Sequence, residues 1–190
     1  MVPMSQPLPG RRLLAAIALP IAIAVASPVM AATVAQPWRV VGASMEPVIE
    51  DGSVLLVDGL GPQVTGYGRG DIVVLTVPEG AARGYPVLVK RIVGLPGDRI
   101  TVRDGRVLLN GRRLPEPYAV AGDGRPVRPD RAVDVVVPAG EVWVMGDRRA
   151  NSFDSMAFGA VTYDQVLGRV WFSLEPDGEV QLTPASAAAP

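Results

Sequence analysis

Residues 87–98 read Val87-Leu88-Val89-Lys90-Arg91-Ile92-Val93-Gly94-Leu95-Pro96-Gly97-Asp98. A short apolar run rich in β-branched residues ends on a Gly/Pro/Asp cluster, the pattern of a strand closed by a turn. Alternation along a strand puts Leu88, Lys90 and Ile92 on one face, and Val89, Arg91 and Val93 on the other. Lys90 therefore has apolar neighbours on its own face. If that face is the core, desolvation lowers the lysine pKa and a neutral amine becomes available as a general base. The ordinary alternative is an edge-strand lysine that discourages aggregation.

Outward from this stretch, similar runs recur, each bounded by Gly, Pro or Asp. They are Ser53–Asp58, Asp71–Val77, Pro86–Val93, Arg99–Arg103, Arg106–Leu109, Val133–Val137, Glu141–Met145 and Val166–Leu174. Asp104-Gly105 lies between two of them as a two-residue hairpin signal, and Asn110-Gly111 reads as another tight turn. No segment past Ala35 shows helical periodicity over three turns. The expectation is an all-β, partly open, antiparallel barrel-like domain over residues 36–181. The Gly-, Pro- and Arg-rich stretch at about 104–134 reads as a hairpin and loop excursion, and the Ala/Pro-rich tail at 182–190 as disordered.

Composition narrows the chemistry. The 190 residues include no histidine and no cysteine, and of 18 basic residues only Lys90 is lysine. Without these residues there is no Ser-His-Asp triad, thiolate nucleophile, disulfide or zinc cluster. A metal site would have to be all-oxygen, the hard-cation type. An acid–base enzyme must then use a carboxylate, a tyrosine, a chain terminus or that one lysine as its base. The net charge of −1 gives no electrostatic case for nucleic acid.

The N-terminus reads differently from the rest. Residues 1–12 end on Arg11-Arg12, and Leu13 to Ala35 then runs without a charge. At about 1.5 Å per residue that run can span a hydrocarbon core of roughly 30 Å. Its length favours a retained transmembrane anchor at 13–35 over a cleaved signal peptide. The second reading stays open, with Val29-Met30-Ala31 as a small-residue cleavage site. Either way residues 1–12 stay cytoplasmic by the positive-inside rule, and the β domain lies on the far side of the cell membrane.

Two further segments accompany the lysine strand. Gly42-Ala43-Ser44-Met45-Glu46-Pro47 is a small-residue turn placing Ser44 just before a strand. Met145-Gly146-Asp147-Arg148-Arg149-Ala150-Asn151-Ser152-Phe153-Asp154-Ser155 is a polar, turn-forming stretch directly after another. Alone, the first reads as a turn serine and the second as an ordinary polar loop.

Together these segments resemble the type I signal peptidases, membrane-bound serine proteases with a Ser–Lys dyad. The likeness covers roughly Val40 to Leu174. Ser44-Met45-Glu46-Pro47 fits the nucleophile box, and Gly70-Asp71-Ile72-Val73-Val74 fits the next. Lys90 to Asp98 fits the general-base box Lys-Arg-x-x-Gly-x-Pro-Gly-Asp. Gly146, Asp147, Arg149, Ser152, Asp154 and Ser155 fit the last. Arg148 stands where that box usually has Asn, and Met156 where it usually has Arg, so Asp154 needs another partner. Gly42 stands where some members have an oxyanion-assisting serine.

The resemblance implies a signal-peptidase fold behind one N-terminal transmembrane helix. It implies Ser44 as nucleophile, Lys90 as neutral base, and the Ser44 N–H in the oxyanion hole, a mechanism that needs no metal or cofactor. It implies that Ser152 hydrogen-bonds the Lys90 amine, that Asp147 pairs with Arg91, and that Asp154 supports the last box. Met45 and Pro47 become candidates for substrate or membrane-proximal contact. The implied partners are the lipid bilayer and preprotein signal peptides with small residues at −3 and −1. Self-cleaving repressors share the dyad but carry an N-terminal DNA-binding domain, for which the apolar first 35 residues are unsuited. Two other readings remain: a processing protease of the same clan dedicated to one pilin-like or conjugation substrate, and a secreted, non-enzymatic β binding domain.

Overall fold

The computed structural model describes residues 35–81, 84, 86–103, 106–120 and 132–182. The expected cytoplasmic segment 1–12, the anchor at 13–35 apart from Ala35, and the tail from 183 lie outside the described residues. Among the described residues no helix is long and apolar enough to cross a membrane.

Among the described residues, twelve strands form two sheets. They are β1 (Ala35–Arg39), β2 (Val54–Asp58), β3 (Ile72–Thr76), β4 (Val87–Gly94), β5 (Arg99–Arg103), β6 (Arg106–Leu109), β7 (Arg112–Arg113), β8 (Val133–Val136), β9 (Glu141–Met145), β10 (Val161–Thr162), β11 (Val166–Leu174) and β12 (Val180–Leu182). The larger sheet runs β1-β2-β11-β3-β4-β9-β10, with β12 on β11, and the smaller runs β7-β6-β5-β8. Every strand pair is antiparallel. The larger sheet stays open, with β1 and β10 at its edges. The only α-helices among the described residues are single turns, α1 (Gly61–Thr65) and α2 (Ser155–Phe158).

The all-β expectation holds, and its physical basis is visible strand by strand. β3 reads Ile-Val-Val-Leu-Thr because both its faces are covered. Ile72 and Val74 pack into a cluster with Val40, Met45, Ile49 and Leu55. Val73 and Leu75 pack on the other side with Ile92, Val142, Val144 and Val161. β5 instead alternates, burying Ile100 and Val102 and exposing Arg99 and Arg103, as a sheet with one wet face does.

β4 and β9 are neighbours in the larger sheet, so everything between Leu95 and Gly140 is inserted between two paired strands. The smaller sheet is built from that insertion. Within it, Asn110 and Gly111 both take positive φ, 51° and 81°, and join β6 to β7 in the tight turn that their dipeptide signals. Residues 104–105 and 121–131 of the expected excursion lie outside the described residues.

Candidate active site

Ser44 sits on the turn between β1 and β2. The turn is anchored from beneath by Met45 and Ile49, both fully buried, and the Met45 carbonyl accepts the N–H groups of Val48 and Ile49 at 3.0 Å. Gly42 has a φ of 106°, which favours glycine, and its N–H donates to Asp51 Oδ1 at 2.8 Å. The Gly42 N–H is therefore committed. The Ser44 N–H has no protein acceptor among the described residues.

Lys90 lies in β4 opposite Val73 of β3, with only 2% of its surface exposed. Its neighbours on the same strand face, Leu88 and Ile92, belong to one apolar cluster. Lys90 Nζ lies 2.7 Å from Ser44 Oγ and donates to the Val89 carbonyl at 2.6 Å. Burial lowers its pKa to about 8, against the pull of the Asp154 and Asp147 carboxylates, which raise it. Ser44 and Lys90 line one cleft of about 620 Å³ with Trp38, Val87, Val89 and Phe153. Met45 also reaches this cleft, whereas Pro47 is exposed and stands off it.

Arg91 points to the opposite face of β4. It grips Asp147 with both arms, Nε to Oδ1 at 2.9 Å and Nη2 to Oδ2 at 2.7 Å. Its remaining Nη1 donates to the Gly70 carbonyl, and its guanidinium lies 4.1 Å above the Tyr118 ring. The last box is thereby fastened to the strand that carries Lys90.

That box is also knotted on itself. Asp154 accepts the N–H groups of Gly146 and Met156, both at 3.0 Å, and so caps α2. Met156 answers the question its side chain raised: its backbone, not a cation, is what Asp154 binds. Ser155 Oγ accepts the Val144 N–H at 2.9 Å, tying α2 to β9. Arg149 donates from Nε to the Gly146 carbonyl, and its terminal nitrogens meet Glu116 at 2.5 and 3.0 Å.

One implied contact is corrected. Ser152 Oγ is buried without a hydrogen-bond partner, so it does not bond the Lys90 amine. The amine is engaged by Ser44 and Val89 instead, while Ser152 presses on Gly146. A Cβ at position 146 would lie 2.3 Å from Ser152 Oγ and 2.6 Å from the Ser44 carbonyl oxygen. Gly146 is glycine because two parts of the site meet over its Cα.

Sequence reasoning missed Glu46, Glu116 and Tyr118. Glu116-Pro117-Tyr118 lies in a stretch read as loop, and Glu116 is 33 residues from its partner Arg149, so no local pattern signalled it. Among the described residues no cluster of His, Cys, Asp or Glu could hold a metal ion. What the arrangement offers is a hydroxyl, an adjacent buried amine with a lowered pKa, and an N–H beside the hydroxyl. These are the parts of a nucleophile–base pair.

The chain was compared with known proteins. A family model described as signal peptidase, peptidase S26, matches residues 11–174. Signal peptidase I U of Bacillus subtilis (strain 168) is 33% identical over 153 residues, 77% of this chain and 79% of that protein. Signal peptidase I of Bacillus amyloliquefaciens is 36% identical over 154 residues, 77% of this chain and 80% of that protein. A crystal structure of a signal peptidase I from Enterococcus faecalis V583 is 32% identical, covers 54% of this chain and 94% of its own, and has a TM-score of 0.43. With more than half its length matched by the family model and relatives above 30% identity along most of their length, the chain belongs to the signal peptidase family, peptidase S26.

Proposed function

We propose that this protein removes signal peptides from exported preproteins, with Ser44 as nucleophile and Lys90 as general base. The observation that carries this reading is the 2.7 Å contact between Ser44 Oγ and a lysine amine with 2% exposure. Ser44 Oγ attacks the carbonyl carbon of the substrate residue at −1, and its proton passes to neutral Lys90 Nζ. The negative oxygen that forms is stabilised by the Ser44 N–H. The C–N bond then breaks, and protonated Lys90 returns the proton to the leaving amine. Water attacks the resulting ester with Lys90 again as base, releasing the carboxylate and restoring Ser44.

Arginine cannot take the place of Lys90, because its pKa stays too high. The substrate lies in the cleft as an added extended segment, and the apolar part of its lining, with Trp38, Val87, Val89 and Phe153, suits small residues at −3 and −1. Residues 13–35 anchor the protein in the cell membrane with residues 1–12 cytoplasmic, so the β domain works at the outer surface.

The test is cleavage of a preprotein by the detergent-solubilised full chain across pH, beside Ser44→Ala and Lys90→Arg. Both variants should lose activity, and the wild-type rate should rise through about pH 8 as Lys90 becomes neutral. Cleavage retained by Lys90→Arg would remove the lysine-base proposal.

A further inference from the structure

The turn carrying Ser44 and the loop carrying Ser152 meet through their backbones. The Arg148 N–H donates to the Ser44 carbonyl at 3.0 Å, and Gly146 leaves no room for a side chain between them. A second link closes over this contact: Arg148 Nη1 donates to Glu46 Oε2 at 2.6 Å. Glu46 lies two residues beyond Ser44 on the same turn. One residue, Arg148, thus holds the turn at its carbonyl with its backbone and at Glu46 with its side chain.

We propose that the Glu46–Arg148 ion pair is a positioning clip for the nucleophile turn, a role that rests on the Ser–Lys reading above. Met45 and Ile49 secure the turn from inside the core, and the clip secures it from outside. The direction of Ser44 Oγ and of its N–H depends on the same peptide units, so freedom in this turn degrades attack and oxyanion stabilisation together. Neither Glu46 nor Arg148 lines the cleft, so the clip acts on turnover and not on substrate binding. Their side chains are about a third exposed, at 32% and 35%, so the pair is partly shielded from water yet open to salt.

The test measures kcat and KM of the full-length, detergent-solubilised protein on a fluorogenic peptide with small residues at −3 and −1. The variants are Glu46→Gln, Arg148→Gln and the charge-reversed double variant Glu46→Arg/Arg148→Glu. Each single variant should lower kcat by roughly five- to ten-fold while KM stays within about two-fold, given a partly exposed pair next to a geometrically demanding nucleophile. The pH midpoint should not move, because Lys90 keeps its surroundings. The reversed pair should recover most of the loss, and high salt should slow the wild type more than Glu46→Gln. Single variants with wild-type kcat, or a reversed pair no better than the worse single variant, would overturn the clip. A single variant that fails to fold leaves the reversed pair and the salt response to decide. These results are separable from the Ser–Lys reading: cleavage by Ser44→Ala sinks that reading, whereas wild-type kcat in the clip variants sinks only the clip.

Discussion

Two arginine–aspartate pairs in this molecule have nearly the same geometry and opposite surroundings. Arg91 and Asp147 join β4 to the last box through contacts of 2.9 and 2.7 Å. Arg99 and Asp134 join β5 to β8 through contacts of 2.8 and 2.7 Å. Side-chain exposure is 8% and 0% in the first pair, and 62% and 43% in the second. The two carboxyls respond in opposite directions. Asp134 is pulled down to about 2, chiefly by the hydrogen bonds from Arg99. Asp147 is pushed above the ordinary carboxylate range, because burial outweighs the pull of Arg91. The fork between guanidinium and carboxylate is the same. What differs is the medium, and the medium decides whether a pair fixes a site or decorates a surface.

The sharpest way to break this comparison is to remove one partner at a time. Asp147→Leu or Arg91→Met leaves an uncompensated charge in the interior, and each should cost about 3–5 kcal/mol of stability in urea unfolding. The double variant should recover much of that loss, since a buried pair replaced by apolar residues of similar size is often neutral. Activity should not return with it. The strand that carries Lys90 and the loop of Ser152 would then be packed together without the fork that sets their register. Single variants that unfold at the wild-type urea concentration would show that burial adds nothing to this pair.

The same contrast explains what the sequence could disclose. The longer strands, β2, β3, β4, β9 and β11 of the larger sheet and β5, β6 and β8 of the smaller, were legible because burial writes itself as apolar runs, and the turns because Gly, Pro and Asn mark them. β7 and β10 were not, since two residues carry no period. β1 was hidden by its position at the edge of the charge-free run and by Pro37 within it. Ser44 and Lys90 were legible as members of local boxes. The Glu46–Arg148 and Glu116–Arg149 contacts were not, because each joins residues far apart in the chain and no local pattern encodes the pairing. Ser152 shows the converse: its place in the box was plain, but the box does not fix which way the lysine amine turns.

A second probe applies burial to a charge with no ion-pair partner among the described residues. Lys90 has a folded-state pKa of about 8 against 10.5 when exposed. Below about pH 8 it is charged in both the folded and unfolded states, and the fold carries the cost of burying that charge. Between about 8 and 10.5 the unfolded chain holds the proton and the folded chain does not, so stability should rise with pH across this window. Lys90→Met should therefore melt a few degrees above the wild type near neutral pH, with the gap closing towards the upper end of the window. Calorimetry across pH reads this directly. A variant that melts below the wild type at every pH would mean that the contacts to Ser44 and Val89 outweigh desolvation.

The smallest effect should come from the exposed pair. Asp134→Asn should leave kcat unchanged and the melting midpoint near its wild-type value at neutral pH, because solvent screens both charges. The folded-state pKa of Asp134 lies below its exposed value of 3.8, so whatever the pair contributes is present above that value and fades as pH falls through about 2. Salt should erase even this. In an NMR titration the Asp134 carboxyl midpoint should move from about 2 towards 3.8 as ionic strength rises, while Asp147, out of reach of counterions, should hold its place. If the two carboxyls shift together, solvent reaches both pairs alike and the difference in burial does not separate them. The fork alone would then set the value of each, and the smaller sheet would count as support for the site on equal terms with β4.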